Sequence, residues 1–333
     1  MAINAKLTAI IIMFFLAVTV STAVGEIEGL PPGTEDTLYD LQATMYPPEI
    51  HGVTLDPETP KAGVPTTVTA KIFNDPNITD DETLEAWLIY SLDDGETWEY
   101  VDMDPSKDMR TWTGTIPGFD AGVEVLYGFR ATDSSDNLYT EIPCLVTSWP
   151  PKGDTCMFDL APDEDPLDDE SQVTPDDFDI MNFKAGVDEE YLYVEMEVQG
   201  KIEPGSISPV YVHLYGFVMH NPDIGNPSDI LTTGFIGIYA PHGEALTYYK
   251  CMTLSYPMDE VLIDNSQMTC LAEGSKLWFK VKDSAIGNNP SGIIKLLAAN
   301  GVVTSITPLA GEPYDYSRVS TLALLDRWFI VED

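Results

Sequence analysis

Tyr191-Leu192-Tyr193-Val194-Glu195-Met196-Glu197-Val198 decides the fold. Leu192, Val194, Met196 and Val198 recur at every second position, and Glu195 and Glu197 fall between them. That is the period of a strand with one face in a core and the other, carrying the two carboxylates, toward water. The same reading extends outward. Val64-Pro65-Thr66-Thr67-Val68-Thr69-Ala70 and Leu84 to Tyr90 are strands, and Val123, Val125, Tyr127, Phe129 and Ala131 put apolar side chains on one face of a third. Downstream, strands are predicted at Val210 to Met219, Leu231 to Tyr239, Leu246 to Leu254, Leu277 to Val281 and Ile293 to Ala299, the last entered through the turn Asn288-Asn289-Pro290-Ser291-Gly292. No helical period competes with these runs, so the chain is all-β, read as two β-sandwiches in tandem.

The chain has 333 residues, enough for two domains and a tail. Residues 1–25 read as a signal peptide: Lys6, an apolar run from Leu7 to Val20, then Ser21, Thr22, Ala23 and Gly25, with cleavage expected before Glu26. An uncleaved anchor is the other reading, but the run is short of the ~20 residues a bilayer requires. Residues 26–48 form an acidic, proline-punctuated tail. Residues 49–147 form the first sandwich, 148–158 a linker carrying Trp149-Pro150-Pro151, and 159–333 a larger sandwich. Leu322 to Asp333 is mixed and acidic, unlike a tail anchor, so no direct membrane insertion is expected after signal cleavage.

Sixteen Lys and Arg stand against fifty-five Asp and Glu, a net charge of −39. Nucleic acid is excluded as a partner, because phosphate recognition needs clustered basic residues. Cys144, Cys156, Cys251 and Cys270 fit an oxidising, extracellular destination and allow three pairings. Proximity in sequence favours Cys144 with Cys156 and Cys251 with Cys270. Asn77-Ile78-Thr79 is a glycosylation sequon.

Ser91-Leu92-Asp93-Asp94-Gly95-Glu96-Thr97-Trp98 matches the pattern of the Asp box, a β-hairpin familiar from sialidase propellers. The Asp93 carboxylate is placed to accept turn N–H groups, Gly95 to supply a positive φ, and Trp98 to fold over the hairpin. A sialidase carries several boxes and an arginine cluster; here there is one box, and the arginines are Arg110, Arg130, Arg318 and Arg327. With Ala62-Gly63-Val64-Pro65, Thr111-Trp112-Thr113, Ile116-Pro117-Gly118 and Ala131-Thr132-Asp133, the region instead resembles immunoglobulin or fibronectin type III modules of prokaryotic surface proteins. That resemblance implies a spacer or interaction module. Asp176-Asp177-Phe178-Asp179-Ile180 and Val187-Asp188-Glu189-Glu190 leading into Tyr191 resemble family 9 carbohydrate-binding modules and DOMON-type sandwiches. Members of that group bind sugars, often with structural calcium, and some bind haem.

Candidate sites are few. Asp163, Asp165, Asp168, Asp169, Asp177 and Asp179 crowd hard oxygens into a short stretch, suited either to calcium or to a solvated acidic loop. Asn221 to Asp229 is a second oxygen-rich loop. Lys276, Trp278, Lys280 and Lys282 alternate with Leu277, Phe279 and Val281, giving a basic, aromatic strand face that Tyr248 extends. It reads as a seat for an anionic glycan or an acidic partner, or as a solvated outer face with lysine stems over the indole. The four histidines are scattered, and no hydrolase, metalloprotease or phosphate-loop motif accompanies them. The expectation is a non-catalytic secreted surface or matrix protein acting in structure, adhesion or assembly, with other surface proteins or itself as partner. The alternative is a glycan-binding protein with an immunoglobulin-like spacer; an enzyme or redox protein with no visible site is the third.

Overall fold

The computed structural model describes residues 48–73, 84–133, 138–160, 176–177, 179–202, 212–220, 233–242, 246–255, 261–263, 268–283, 293–306, 309–316, 320–324 and 327–333. Of these, 59 % lie in strands and 1 % in helix, so the all-β expectation holds. No helix among the described residues is long and apolar enough to cross a membrane. The signal peptide, the acidic tail, Asn77 and the loop at Asn221 to Asp229 lie outside the described residues.

The first eight strands among the described residues are β1 (Glu49–Asp56), β2 (Thr66–Phe73), β3 (Glu85–Ser91), β4 (Glu99–Asp102), β5 (Asp104–Pro105), β6 (Thr111–Ile116), β7 (Glu124–Thr132) and β8 (Leu138–Ile142). One sheet runs β1-β2-β6-β5 and another contains β8-β7-β3-β4. Alternation builds the core between them. Val68, Ala70 and Ile72 of β2, Trp112 and Ile116 of β6, Leu88 of β3 and Val125, Tyr127, Phe129 and Ala131 of β7 are all buried. The two layers meet closely at Gly114, where an added Cβ would stand 3.1 Å from Leu88 Cδ2 and 3.4 Å from Met103 Cγ. A larger residue there would push the sheets apart.

The chain then passes through β9 (Phe158–Asp159), β10 (Ile180–Val187), β11 (Tyr191–Val198), β12 (Val212–His220), β13 (Thr233–His242), β14 (Leu246–Ser255), β15 (Val261–Ile263), β16 (Met268–Glu273), β17 (Lys276–Lys282), β18 (Ile293–Ile306) and β19 (Leu309–Tyr316). These form a five-stranded sheet, β16-β17-β11-β10-β9, and the run β15-β14-β13-β12-β18, with β19 on the flank of β18. Leu192, Val194, Met196 and Val198 face inward as their alternation required, with Leu277, Phe279 and Val281 of β17 buried beside them. Phe279 meets Phe217 of β12 edge-on at 5.0 Å between ring centroids.

The expected domain boundaries need correction at both ends. The compact units are Tyr46–Phe158 with Gly186–Glu189 and Val319–Asp333, and Asp159–Ala185 with Glu190–Arg318. Two last strands, β20 (Ser320–Leu324) and β21 (Trp328–Ile330), belong to the first unit. β20 pairs with β8 in parallel, from Ser320 opposite Leu138 to Leu324 opposite Ile142. β21 pairs antiparallel with β7, Trp328 opposite Leu126 and Ile330 opposite Glu124. Parallel pairing of distant segments leaves no local sequence signature, which is why the alternation alone assigned this end to the second sandwich.

Residues 148–158, read as the linker, belong to the first unit. Cys144 and Cys156 form a disulfide with 5.6 Å between Cα atoms, as expected. The Asp154 carboxylate accepts the Thr147 N–H at 2.9 Å and the Cys156 N–H at 3.0 Å. Thr155 Oγ1 donates to the Gly95 carbonyl at 2.5 Å, and Phe158 meets Trp98 edge-on at 5.5 Å. The segment is therefore a folded cap on the Asp-box hairpin. That hairpin has the expected chemistry: Asp93 Oδ1 accepts the Thr97 N–H at 2.8 Å, Asp93 Oδ2 accepts Thr97 Oγ1 at 2.7 Å, and Gly95 has φ +87°.

The second expected disulfide is overturned. Cys270 is a free thiol on β16 in the five-stranded sheet, and Cys251 lies on β14, in a different sheet. Nineteen residues of separation do not by themselves bring two side chains to the Cα spacing of ~5.5–6 Å that a disulfide needs. Burial pushes the Cys270 thiol up to about 12, so it is a poor nucleophile at neutral pH.

Candidate functional site

β17 does place Lys276, Trp278, Lys280 and Lys282 on one face, and the neighbouring strand decides what that face is. β11 lies antiparallel beside it with Glu197 opposite Lys276, Glu195 opposite Trp278, Tyr193 opposite Lys280 and Tyr191 opposite Lys282. Directly opposed side chains on one face interact. Lys276 Nζ therefore reaches Glu195 Oε1 at 2.8 Å and Glu197 Oε2 at 3.1 Å, and Trp278 Nε1 donates to Glu195 Oε2 at 2.5 Å.

This corrects two expectations. Glu195 is 4 % exposed and Trp278 2 % exposed, so neither faces water. The register was right but the environment was not. A carboxylate can be buried here because an ammonium and an indole N–H satisfy it, and the indole can be buried because it has found an acceptor. Burial pulls the Lys276 ammonium down, but its bonds to Glu195 and Glu197 outweigh this and hold it above its ordinary value.

What remains open on this face is smaller than expected. Lys280 Nζ sits 3.9 Å over the Tyr191 ring and 5.1 Å from that of Tyr193, with the two rings 6.4 Å apart. Tyr191, Lys280 and Lys282 are half-buried and form an aromatic and cationic strip. Tyr248 is on β14, its backbone opposite Ala240, so no strand ladder joins it to that strip.

Of the acidic stretch, Asp163, Asp165, Asp168 and Asp169 lie outside the described residues. Asp177 Oδ1 accepts the Lys201 N–H at 2.9 Å, and the Gln199 amide, turned with its nitrogen toward them, donates to Asp176 Oδ1 and Asp179 Oδ2. This end of the stretch thus serves a turn. Among the described residues, no group of three or more His, Cys, Asp or Glu is arranged to hold a metal ion.

Sequence reasoning missed the most deeply buried ionic group among the described residues of the first unit. Glu141 on β8 is 0 % exposed, and Arg327 reaches it with Nε at 3.0 Å from Oε2 and Nη2 at 3.2 Å from Oε1. Tyr139 Oη donates to Glu141 Oε1 at 3.3 Å, and the Arg327 guanidinium stands 5.8 Å from the Phe129 ring centroid. Burial pushes the Glu141 carboxyl above its ordinary value against the pull of Arg327, and it raises the phenols of Tyr139 and Tyr127. The available signal was an arginine, scarce in this chain, directly before Trp328-Phe329-Ile330-Val331.

Fold and site together define an all-β protein of sandwich-like modules whose described polar clusters bind strands to one another. No protein family matches the chain, and no curated protein matches it. Among solved structures it is similar to the cycloalternan-forming enzyme of Listeria monocytogenes in complex with a pentasaccharide substrate, at 12 % identity and a TM-score of 0.24, over 76 % of this chain and 21 % of that one. It is also similar to an uncharacterized Listeria monocytogenes protein in complex with glucose, magnesium and calcium, at 13 % identity and a TM-score of 0.23, over 76 % and 21 %. A third is Salmonella alpha-2-macroglobulin, at 10 % identity and a TM-score of 0.21, over 84 % and 15 %. The chain spans about a fifth of the length of the first two, and likeness at this level carries no argument about what it does.

Proposed function

We propose that this is a non-catalytic, secreted surface or matrix protein acting in structure, adhesion or assembly, with a first unit of the immunoglobulin or fibronectin type III kind. The observation that carries the reading is how the first unit is closed. The turn after β1 and the segment after β21 meet in one module: Glu332 N donates to the Pro60 carbonyl at 2.9 Å, Ala62 N donates to the Glu332 carbonyl at 2.8 Å, and Lys61 pairs with Glu332. The sheet orders β1-β2-β6 and β8-β7-β3-β4 support the immunoglobulin-type assignment. A module that joins segments 271 positions apart, Lys61 to Glu332, with a disulfide capping one hairpin, suits a load-bearing or spacing part outside the cell. The test is to purify the protein from its native source. Recovery from the surface or matrix fraction, with a mature N-terminus at Glu26, is expected, and recovery from the cytosol with residues 1–25 intact would overturn it.

A second reading is favoured by the Tyr191, Lys280 and Lys282 strip, which offers an aromatic surface beside cations. An anionic extracellular glycan fits that chemistry. A glycan array with the full protein tests it: binding that Tyr191→Ala and Lys280→Ala both remove is expected, and binding unaffected by either would end it. Calcium at Asp163, Asp165, Asp168, Asp169, Asp177 and Asp179 is also proposed, with a test below.

A further inference from the structure

We propose that the slot on the first unit filled by β20, β21 and Arg327 also accepts those strands from a second copy, so that copies join by exchanging C-terminal strands. The slot follows from where β8 stops. Ile142 is followed by Pro143, which has no N–H to continue a ladder, so the β7 edge from Glu124 to Tyr127 is left for another strand. Arg327 and β21 take it: Tyr127 N donates to the Arg327 carbonyl at 3.0 Å and Val331 N to the Val123 carbonyl at 2.9 Å. Phe329 is buried with its ring 5.8 Å from that of Tyr127, and Arg327 neutralises Glu141.

Three features make the occupant interchangeable between copies. The body of the slot, Tyr46–Phe158 with Gly186–Glu189, is separated along the chain from its strand by Glu190–Arg318. The described disulfide lies within the body and does not tie the strand down. Every described contact of the strand with the slot is a non-covalent pairing that an identical segment reproduces, so effective concentration decides whose strand fills it. An empty slot is costly, since Glu141 would keep a buried charge without its cation. A copy that has released its own strand is therefore a strong acceptor for another's. The net charge of −39 opposes the approach of copies at low salt and is screened at high salt. This inference rests on the assembly reading and names its partner; the adhesive and glycan readings keep their own tests.

Glu124 and Ile330 are exposed and directly opposed, so they report the pairing without disturbing the core. One full-length protein carries Glu124→Cys and another carries Ile330→Cys. The two are mixed at high concentration, then oxidised and analysed without reductant. The expected result is a mixed dimer linked between positions 124 and 330 by peptide mapping. It should be absent from either protein alone, and its yield should rise several-fold from about 0.01 M to about 1 M salt, as the screening length falls from ~30 to ~3 Å. Adding Arg327→Ala to the Ile330→Cys protein should cut the yield several-fold. The double variant Glu124→Cys/Ile330→Cys shows that the pair can close. If it closes within one chain while the mixture gives no linked dimer, exchange is overturned; if it fails to close, the pairing itself is wrong and the proposal falls with it.

Discussion

Arg327 and Glu141 stand 186 positions apart in sequence and meet as a two-pronged ion pair, Nε to Oε2 at 3.0 Å and Nη2 to Oε1 at 3.2 Å. The pair fastens the end of the chain to the strand that precedes the disulfide cap. Removing one partner from such a buried pair typically costs 3–5 kcal/mol, because the other charge stays behind. Arg327→Ala is therefore expected to lower the stability of the first unit by about 3–5 kcal/mol in urea denaturation. The double variant Arg327→Ala/Glu141→Gln should lose less than the sum of the single changes, since no orphaned charge remains. Additive losses would show that the two side chains are not coupled.

The same pair carries a pH signature. Burial raises the Glu141 carboxyl above its ordinary value of ~4.3 in the folded state. Between that value and the raised one, the folded protein binds more protons than the unfolded chain. The linked contribution to stability is full below the ordinary value and is lost as pH rises through the raised one. Glu141→Gln removes it. Subtracting the stability of Glu141→Gln from that of the wild type across pH 4 to 7 should give a difference that falls with rising pH. A difference that rises would mean that Arg327 outweighs burial and holds the carboxyl low.

Gly95 joins the Asp-box turn to the disulfide cap. Its φ of +87° disfavours any side chain, and an added Cβ would stand 3.0 Å from both Cβ and Sγ of Cys144. Gly95→Ala should cost about 1–3 kcal/mol through strain and overpacking. The Cys144–Cys156 link closes a short loop worth ~3 kcal/mol in the chain-entropy view. Peptide mapping under non-reducing conditions should recover that link, with Cys270 as a thiol that labels slowly until the protein is unfolded. A Cys251–Cys270 peptide would restore the pairing that the free Cys270 thiol speaks against.

Calcium binding at the acidic stretch should raise the melting temperature beyond what sodium does at equal ionic strength, because a ligand of the folded state stabilises by RT ln(1 + [L]/Kd). Asp163→Asn and Asp165→Asn together should remove the excess. Equal shifts from both ions would reduce the stretch to a charged surface, in line with the turn that Asp177 and Gln199 build.

How much was legible follows from the range of each interaction. The alternation in Tyr191 to Val198 and Val123 to Ala131 announced strands and their buried faces, because the period is local. The Asp box announced its turn, since Ser91, Asp93, Gly95 and Thr97 bond to one another within a few residues. Partnership between distant strands was not legible. Nothing in Leu322 to Asp333 says that it leaves its sequence neighbours and joins β8 and β7, and nothing in Lys276 to Lys282 says that Glu195 will lie opposite Trp278. An alternating pattern gives the side on which a residue lies and is silent about what covers that side.

Trp278 puts that last point to a quantitative test. A ring on an open face would contribute little to stability, and its loss would act on ligand binding alone. The ring observed is 2 % exposed and donates to a carboxylate that is itself buried. Trp278→Ala removes the packing of a large side chain, about 3–5 kcal/mol, and leaves Glu195 one donor short. Trp278→Phe keeps most of the ring but not the N–H, so it isolates the second effect, and a loss of about 1–3 kcal/mol is expected. Glu195→Gln in the Trp278→Phe background should recover part of that loss, because a neutral amide needs its donors less than a carboxylate does. Urea denaturation of the four proteins reads all three quantities. Stability of Trp278→Ala within about 0.5 kcal/mol of the wild type would place the indole in solvent and return the whole face to the status of a binding surface.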